Sequence, residues 1–245
     1  MNLTVTLLGT GVGIPQPGRS QSSLLVQDGL ANLLFDCGAG TLLRLSEVGL
    51  DPLDLDAVFL SHLHLDHVSD LLALAKARYL QDRPELEVYG PLGTERWLRS
   101  VQSLYPYLKA LRPRVHELFA EEGIELGELY ISTAEAVHSV TCLGYRVDGS
   151  KSMAYSGDTE PAEGIVDLAR GVDLLVHECS FPEPSQVTNH STPLALGRAV
   201  RDVGRVVLTH FYPQAQGHEE EMAAQVAAGA GVPVQVGRDL MRLEL

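Results

Sequence analysis

A chain of 245 residues with 45% apolar and 20% charged side chains is long enough for a sizeable core and reads as one globular domain spanning 1–245. Its formal net charge of −14 excludes nonspecific polyanion binding by charge alone, which rests on clustered Lys and Arg. No basic segment precedes an apolar stretch at the N-terminus and no apolar run reaches membrane-spanning length, so a cytoplasmic location and no membrane partner are expected.

Leu3 to Leu8 alternates Thr with apolar residues, a strand pattern, and ends in Gly9-Thr10-Gly11-Val12-Gly13. A dinucleotide fingerprint is excluded there: the third glycine is missing, and Pro15 and Pro17 prevent the helix that should follow. Ser22 to Val26 and Ala31 to Phe35, split by Gln27-Asp28-Gly29-Leu30, predict a hairpin closed by Asp36-Cys37-Gly38, and a helix over about Thr41 to Val48 stops at Gly49. Ala57 to Leu60 is unbroken in its apolar character, as in a strand buried on both faces.

At the carboxyl end of that strand stands Ser61-His62-Leu63-His64-Leu65-Asp66-His67. Imidazoles and carboxylates are what zinc and similar divalent ions take as ligands. Residues two apart share a face of an extended segment, so His62 and His64 can grip one ion, while the adjacent Asp66 and His67 point differently and suit a second. A solvated histidine-rich loop is the alternative for any one of these residues and a poor account of all four.

Helices are predicted over Val68 to Leu80 and Arg96 to Leu108, the latter from Trp97, Leu98, Val101 and Leu104 at helical spacing, with a short strand at Glu87 to Tyr89 between them. Residues 76–114 carry eight basic against four acidic side chains, a local balance of +4 that is either a solvated face or an anion-collecting wall beside the histidines. Strands follow at about Tyr130 to Ala134, Thr141 to Val147, Ser152 to Ser156, Asp173 to Val176 and Arg205 to Leu208. Helices fit Glu163 to Arg170, Thr192 to Asp202 and Glu219 to Ala228. Strands dominate both halves with helices to cover them, which predicts two sheets flanked by helices. Cys37, Cys142 and Cys179 are far apart and form no Cys-x-x-Cys pair, so buried reduced thiols are expected.

Further ligands should lie at other strand ends, and three residues occupy such places: His138 after Ala134 to Val137, Asp158 in Ser156-Gly157-Asp158-Thr159, and His210 after Val206 to Thr209. His177 and Glu178 end another apolar strand and are expected to make hydrogen bonds that fix imidazole tautomers around a metal. His116 and His218 have no such context and read as surface residues.

On these residues the chain resembles the metallo-β-lactamase superfamily, and within it the ribonuclease Z-like branch. The likeness runs through Leu8-Gly9-Thr10-Gly11, the histidine cluster, Leu143-Gly144-Tyr145-Arg146, His177-Glu178-Cys179-Ser180-Phe181 and Leu208-Thr209-His210-Phe211; His190-Ser191-Thr192 points to the branch. The resemblance implies an α+β, four-layer αββα sandwich. It assigns His62, His64 and His138 to one divalent ion and Asp66, His67 and His210 to another, with Asp158 bridging, and zinc as the metal ahead of manganese or iron. Two such ions lower the pKa of a shared water that attacks the substrate. The resemblance also makes Asp66 a candidate to orient that water or take its proton and His190 the acid that protonates the leaving oxygen; a homodimer is a further expectation from the family.

Within the superfamily, a lactamase would show Cys where Asp158 stands, and a redox di-iron protein Glu in place of His64. A glyoxalase II-like thioesterase would carry a longer helical region than the 35 residues after His210. A non-catalytic binding module would be expected to lose ligands, and all seven are present. A small or nucleotide-derived phosphodiester is therefore the expected substrate. Ribonuclease Z-like processing of tRNA is the runner-up: only 19 residues separate His138 from Asp158, with no room for a tRNA-clamping arm, and Phe211-Tyr212-Pro213 departs from the Ser-x-Arg-Tyr of that branch.

Overall fold

The computed structural model describes residues 2–29 and 31–245; Leu30, which the sequence places in the first hairpin turn, lies outside the described residues. Two seven-stranded sheets form. The first takes β1 (Thr4–Gly9), β2 (Ser23–Asp28), β3 (Ala31–Phe35), β4 (Ala57–Phe59), β5 (Glu85–Pro91) and β6 (Arg112–Leu118). The second takes β7 (Gly123–Leu126), β8 (Leu129–Glu135), β9 (Leu143–Asp148), β10 (Ser152–Tyr155), β11 (Leu174–Glu178), β12 (Val206–Thr209) and β13 (Val234–Val236), after which β14 (Met241–Glu244) returns to pair with β1. Helices α1 (Thr41–Glu47), α2 (Leu65–Val68), α3 (Leu71–Leu80) and α4 (Thr94–Leu104) belong to the first half, and α5 (Glu163–Leu168), α6 (Pro193–Ala199) and α7 (Glu219–Ala230) to the second. The expected α+β sandwich, αββα, is the observed one.

Strand alternation explains the layers. Leu33 and Phe35 of β3 and Ala57 and Phe59 of β4 face the other sheet, whereas Leu34 and Val58 turn outward to helix residues such as Leu45 and Leu74. In the second sheet Leu174 and Val176 face inward and Leu175 faces the layer of α6 and α7. An aromatic stack of Phe35, Phe59 and Tyr89, with centroids 5.0 and 4.7 Å apart, lies between the sheets. Truncating such a ring, Phe59→Ala for instance, costs about 3–5 kcal/mol. Tyr145 donates across the gap to the Leu60 carbonyl at 2.6 Å, so the second sheet holds the strand that leads into the histidine cluster.

β3 to β6 run parallel, as do β10 to β13, and the carboxyl ends of β3, β4, β10, β11 and β12 lead into one cleft. Among the described residues no helix is long and apolar enough to cross a membrane.

Several elements differ from expectation. The helix expected over Val68 to Leu80 is two, with α2 beginning at Leu65, so Asp66 and His67 stand in a helical first turn. The helix expected to reach Leu108 stops at Leu104, since Pro106 disfavours a helical conformation at Tyr105; a separate 3₁₀ turn covers Pro106–Ala110. Four strands went unread: β6, whose Pro and alternating charges suit a sheet edge, the Glu-rich β7, and the short β13 and β14.

Candidate metal centre

Six imidazoles and two carboxylates meet where the two sheets' strand ends converge. His62 Nε2 lies 3.0 Å from His64 Nδ1, and His138 Nε2 lies 3.2 Å from the same atom. Asp158 Oδ2 stands 3.8 Å from His62 Nε2 and 3.9 Å from His138 Nε2. On the other side His67 Nε2 and His210 Nε2 are 3.3 Å apart, with Asp66 Oδ2 3.9 and 3.6 Å from them. Asp158 reaches this group too, at 3.4 Å to His67 and 3.3 Å to His210, and so stands between the two. All seven residues named as metal ligands from the sequence come together.

Outer hydrogen bonds set how each ring presents itself. His138 Nδ1–H donates to the Asn189 carbonyl at 2.8 Å, and His67 Nδ1–H to Asp36 Oδ2 at 2.7 Å. Ser61 gives its hydroxyl proton to Asp36, so it accepts from His62 Nδ1–H at 3.0 Å. Ser180 gives its proton to Glu178 and accepts from His210 Nδ1–H at 3.1 Å. Each of these four imidazoles thereby turns its Nε2 inward, where the neutral ring offers a lone pair.

Such a set suits divalent metal. Tetrahedral bonds of 2.0–2.1 Å place ligand nitrogens about 3.3–3.4 Å apart, close to the 3.0–3.3 Å found. Asp158 Oδ1 is buried with no hydrogen-bond partner, a costly state for a carboxylate unless a cation is beside it. Burial, helped by the neighbouring imidazoles, pushes His62 well below the ordinary histidine pKa and His64 below it, which keeps both neutral and able to ligate. Burial opposes charge on Asp158 and Asp66 as well, but the surrounding His210 and His67 outweigh it and hold both carboxyls below the usual range. Burial likewise opposes charge on His67, yet the carboxylates of Asp158 and Asp36 raise its pKa well above the ordinary value. Without metal a proton on His67 meets the same demand for positive charge.

His190 stands at the edge of this group, one of its ring nitrogens within 4.8 Å of ligand atoms of Asp158 and His210. Its Nδ1 meets Glu178 Oε1 at 2.9 Å and its Nε2 lies 3.4 Å from the Tyr212 hydroxyl. Burial disfavours the imidazolium, but Glu178 outweighs it and raises the His190 pKa. Glu178 is buried and also accepts from the Thr159 and Ser191 N–H groups and from Ser180, so it orders His190 and, through Ser180, His210. His177 is not brought to the centre. Neighbours on a strand point to opposite faces, and its ring lies in the helix layer among Ile165, Ala169 and Val200, with Nδ1–H on the Glu178 carbonyl. The expectation that it orders a metal-site imidazole fails for that reason.

Several contributors went unassigned in the sequence. Asp36, buried at the end of β3, takes hydrogen bonds from Ser61, His67 and Tyr155; its position beyond a buried strand was the available signal. Asp36 and His210 both adopt positive φ, 58° and 60°, a strained state for non-glycine residues that the surrounding contacts must hold in place. The first glycine loop also has a use: Gly13 N–H donates to Asp66 Oδ2 at 2.9 Å. Gly157, at φ +59°, turns β10 into Asp158 where a Cβ would lie 2.9 Å from that of Ser61. His116 and His218 are exposed and remote, as expected, and the three cysteines are buried and free.

Paired sites of this composition, at the strand ends of an αββα sandwich, define a metallohydrolase. The family described as the beta-lactamase superfamily domain matches residues 31–211. A ribonuclease Z of Mycobacterium bovis (strain BCG / Pasteur 1173P2) is 30% identical over 99% of this chain and 98% of its own length. The metallo-β-lactamase fold protein YhfI of Bacillus subtilis superposes with a TM-score of 0.88 at 25% identity, covering both chains fully. Human tRNase Z, short form, shares the fold, with a TM-score of 0.77 at 24% identity over 98% of each chain. The chain belongs to the metallo-β-lactamase superfamily, in its ribonuclease Z-like branch. It is a metal-dependent hydrolase acting on ester bonds, of the phosphodiesterase type.

Proposed function

We propose that the chain hydrolyses a phosphodiester of RNA, with His62, His64, His138 and Asp158 holding one zinc ion and Asp66, His67, His210 and Asp158 a second. The observation that carries this reading is full-length likeness to a curated ribonuclease Z, joined to a ligand set with none of its seven members missing. With the ions bound, the centre supplies a water of lowered pKa and positive charge for the phosphoryl oxygens. Asp66 is suited to orient that water by accepting a hydrogen bond, because its depressed pKa makes it a poor store for the proton. His190, whose imidazolium form Glu178 favours, is suited to donate Nε2–H to the leaving oxygen, and the Tyr212 hydroxyl near Nε2 steadies the ring.

This order reverses the expectation from sequence, which put a small diester first and did not favour RNA. One observation keeps the small diester as a second reading. Between His138 and Asp158 the chain makes only β9, β10 and their connections, with no arm to clamp a folded RNA. The test is cleavage of an RNA bearing a 3′ trailer by zinc-loaded protein, beside a 2′,3′-cyclic nucleotide. RNA cleavage that EDTA stops and His190→Ala slows supports the first reading; turnover of the cyclic nucleotide with the RNA left whole would replace it with the second.

A further inference from the structure

We propose that a cleft beside the metal centre is a nucleotide-binding subsite, in which Trp97 stacks on a base and Arg96 takes the adjoining phosphate. The inference rests on the phosphodiesterase reading and names the part of the substrate that this face receives. The cleft has a volume of about 440 Å³, within the range of small-molecule sites, and is walled by Leu63, Leu92, Arg96, Trp97, Val140 and Thr141. Leu63 lies between the ligands His62 and His64, and Val140 is two residues beyond His138. Chain neighbours of two of the candidate ligands thus form part of the cleft's wall.

Its chemistry is that of nucleotide recognition. Trp97 is only partly buried and packs against the core on the outer side of the first sheet, whereas Leu98 beside it is buried. The indole therefore has packing on one side and the cleft on the other, the arrangement of a stacking platform. The Arg96 guanidinium makes no hydrogen bond or ion pair among the described residues, whereas Arg99, one turn along, is held by Glu95. A second cleft, of about 940 Å³, shares Val140 and Thr141 but is lined by Glu121, Glu135 and Glu163. In a chain of net charge −14, those carboxylates repel phosphate from that cleft while Arg96 attracts it to this one.

Trp97 is the chain's single tryptophan, so its fluorescence reports this cleft alone. Zinc-loaded protein is titrated with cytidine 5′-monophosphate and with the base-free ribose 5-phosphate, corrected for absorption with N-acetyltryptophanamide. The subsite requires a saturable change with the nucleotide, at least about tenfold weaker binding without the base, and a Kd raised about fivefold by Arg96→Ala. No saturable change at millimolar nucleotide, or one that Arg96→Ala and loss of the base leave alone, would overturn it.

A kinetic arm compares thymidine 5′-(p-nitrophenyl) phosphate with methyl p-nitrophenyl phosphate. The preference for the nucleotide ester should fall about tenfold, mainly through KM, in Arg96→Ala and in Trp97→Leu of unchanged Tm. Saturable nucleotide binding with neither ester cleaved would remove the phosphodiesterase reading and leave the subsite. Equal preference in wild type and variants, with both esters cleaved and no fluorescence response, would remove the subsite and leave the reaction.

Discussion

Asp36→Asn tests how far the metal centre depends on a buried carboxylate that touches no metal site directly. Asp36 Oδ1 accepts from the Ser61 N–H at 2.7 Å, and Oδ2 accepts from Ser61 Oγ at 2.8 Å, from Tyr155 at 2.7 Å and from His67 Nδ1–H at 2.7 Å. An amide has one accepting oxygen. Placed at the Oδ2 position it keeps three partners, but its NH₂ then faces the Ser61 N–H, and two buried donors are opposed at a cost of about 1–3 kcal/mol. For a chain of this length that lowers Tm by roughly 2–12 °C. Losing the charge behind His67 also makes that imidazole a weaker donor, for which a drop of about 10–100-fold in metal affinity is expected. Competition for zinc with a chromophoric chelator and thermal unfolding of metal-free and loaded protein read the two effects separately. An affinity within twofold of wild type, with Tm unchanged, would refute the reasoning.

Three further outcomes follow from the same geometry. Asp158→Ala should bring bound zinc from two ions per chain to at most one, read by elemental analysis after gel filtration, since Asp158 alone faces both ligand groups; two retained ions would show that it does not bridge. Glu178→Gln removes the charge that raises the His190 pKa, so the alkaline fall of the kcat/KM profile should move to lower pH, and a limb that stays in place would separate it from His190. The third concerns metal-free protein. A histidine whose pKa is raised by folding contributes its stability in full below about 6.5 and loses it as pH rises through the folded value; His67 is such a group. Metal binding needs that ring deprotonated, so the Tm gained on adding zinc should grow from pH 6 to pH 9, and a gain that shrinks would count against the assignment.

What the sequence made legible followed from spacing and from strand ends. The run His62 to His67 follows a strand buried on both faces, and His138, Asp158 and His210 each follow a strand, so a single rule picked out the seven candidate ligands that the fold brings together. The rule says nothing of side-chain direction, which is why His177 and Glu178, adjacent on β11, were given one role and hold two. Asp36 escaped because one carboxylate after a strand looks like a turn residue until the fold brings His67 to it from 31 positions away. The edge strands escaped for a different reason: the charges and the proline that protect β6 from pairing with another chain also remove the apolar alternation that identifies a strand. Trp97 shows in the sequence only as one position of a helical spacing, and its place beside Leu63 and Val140 in a cleft comes from the fold.

The most direct measurement is hydrolysis of bis(p-nitrophenyl) phosphate by protein reconstituted with known amounts of zinc, with a lactoyl thioester alongside. The account predicts diester turnover that rises to a maximum at two ions per chain, disappears with EDTA and has no counterpart on the thioester. Thioester cleavage without diester cleavage, or turnover indifferent to zinc, would contradict it.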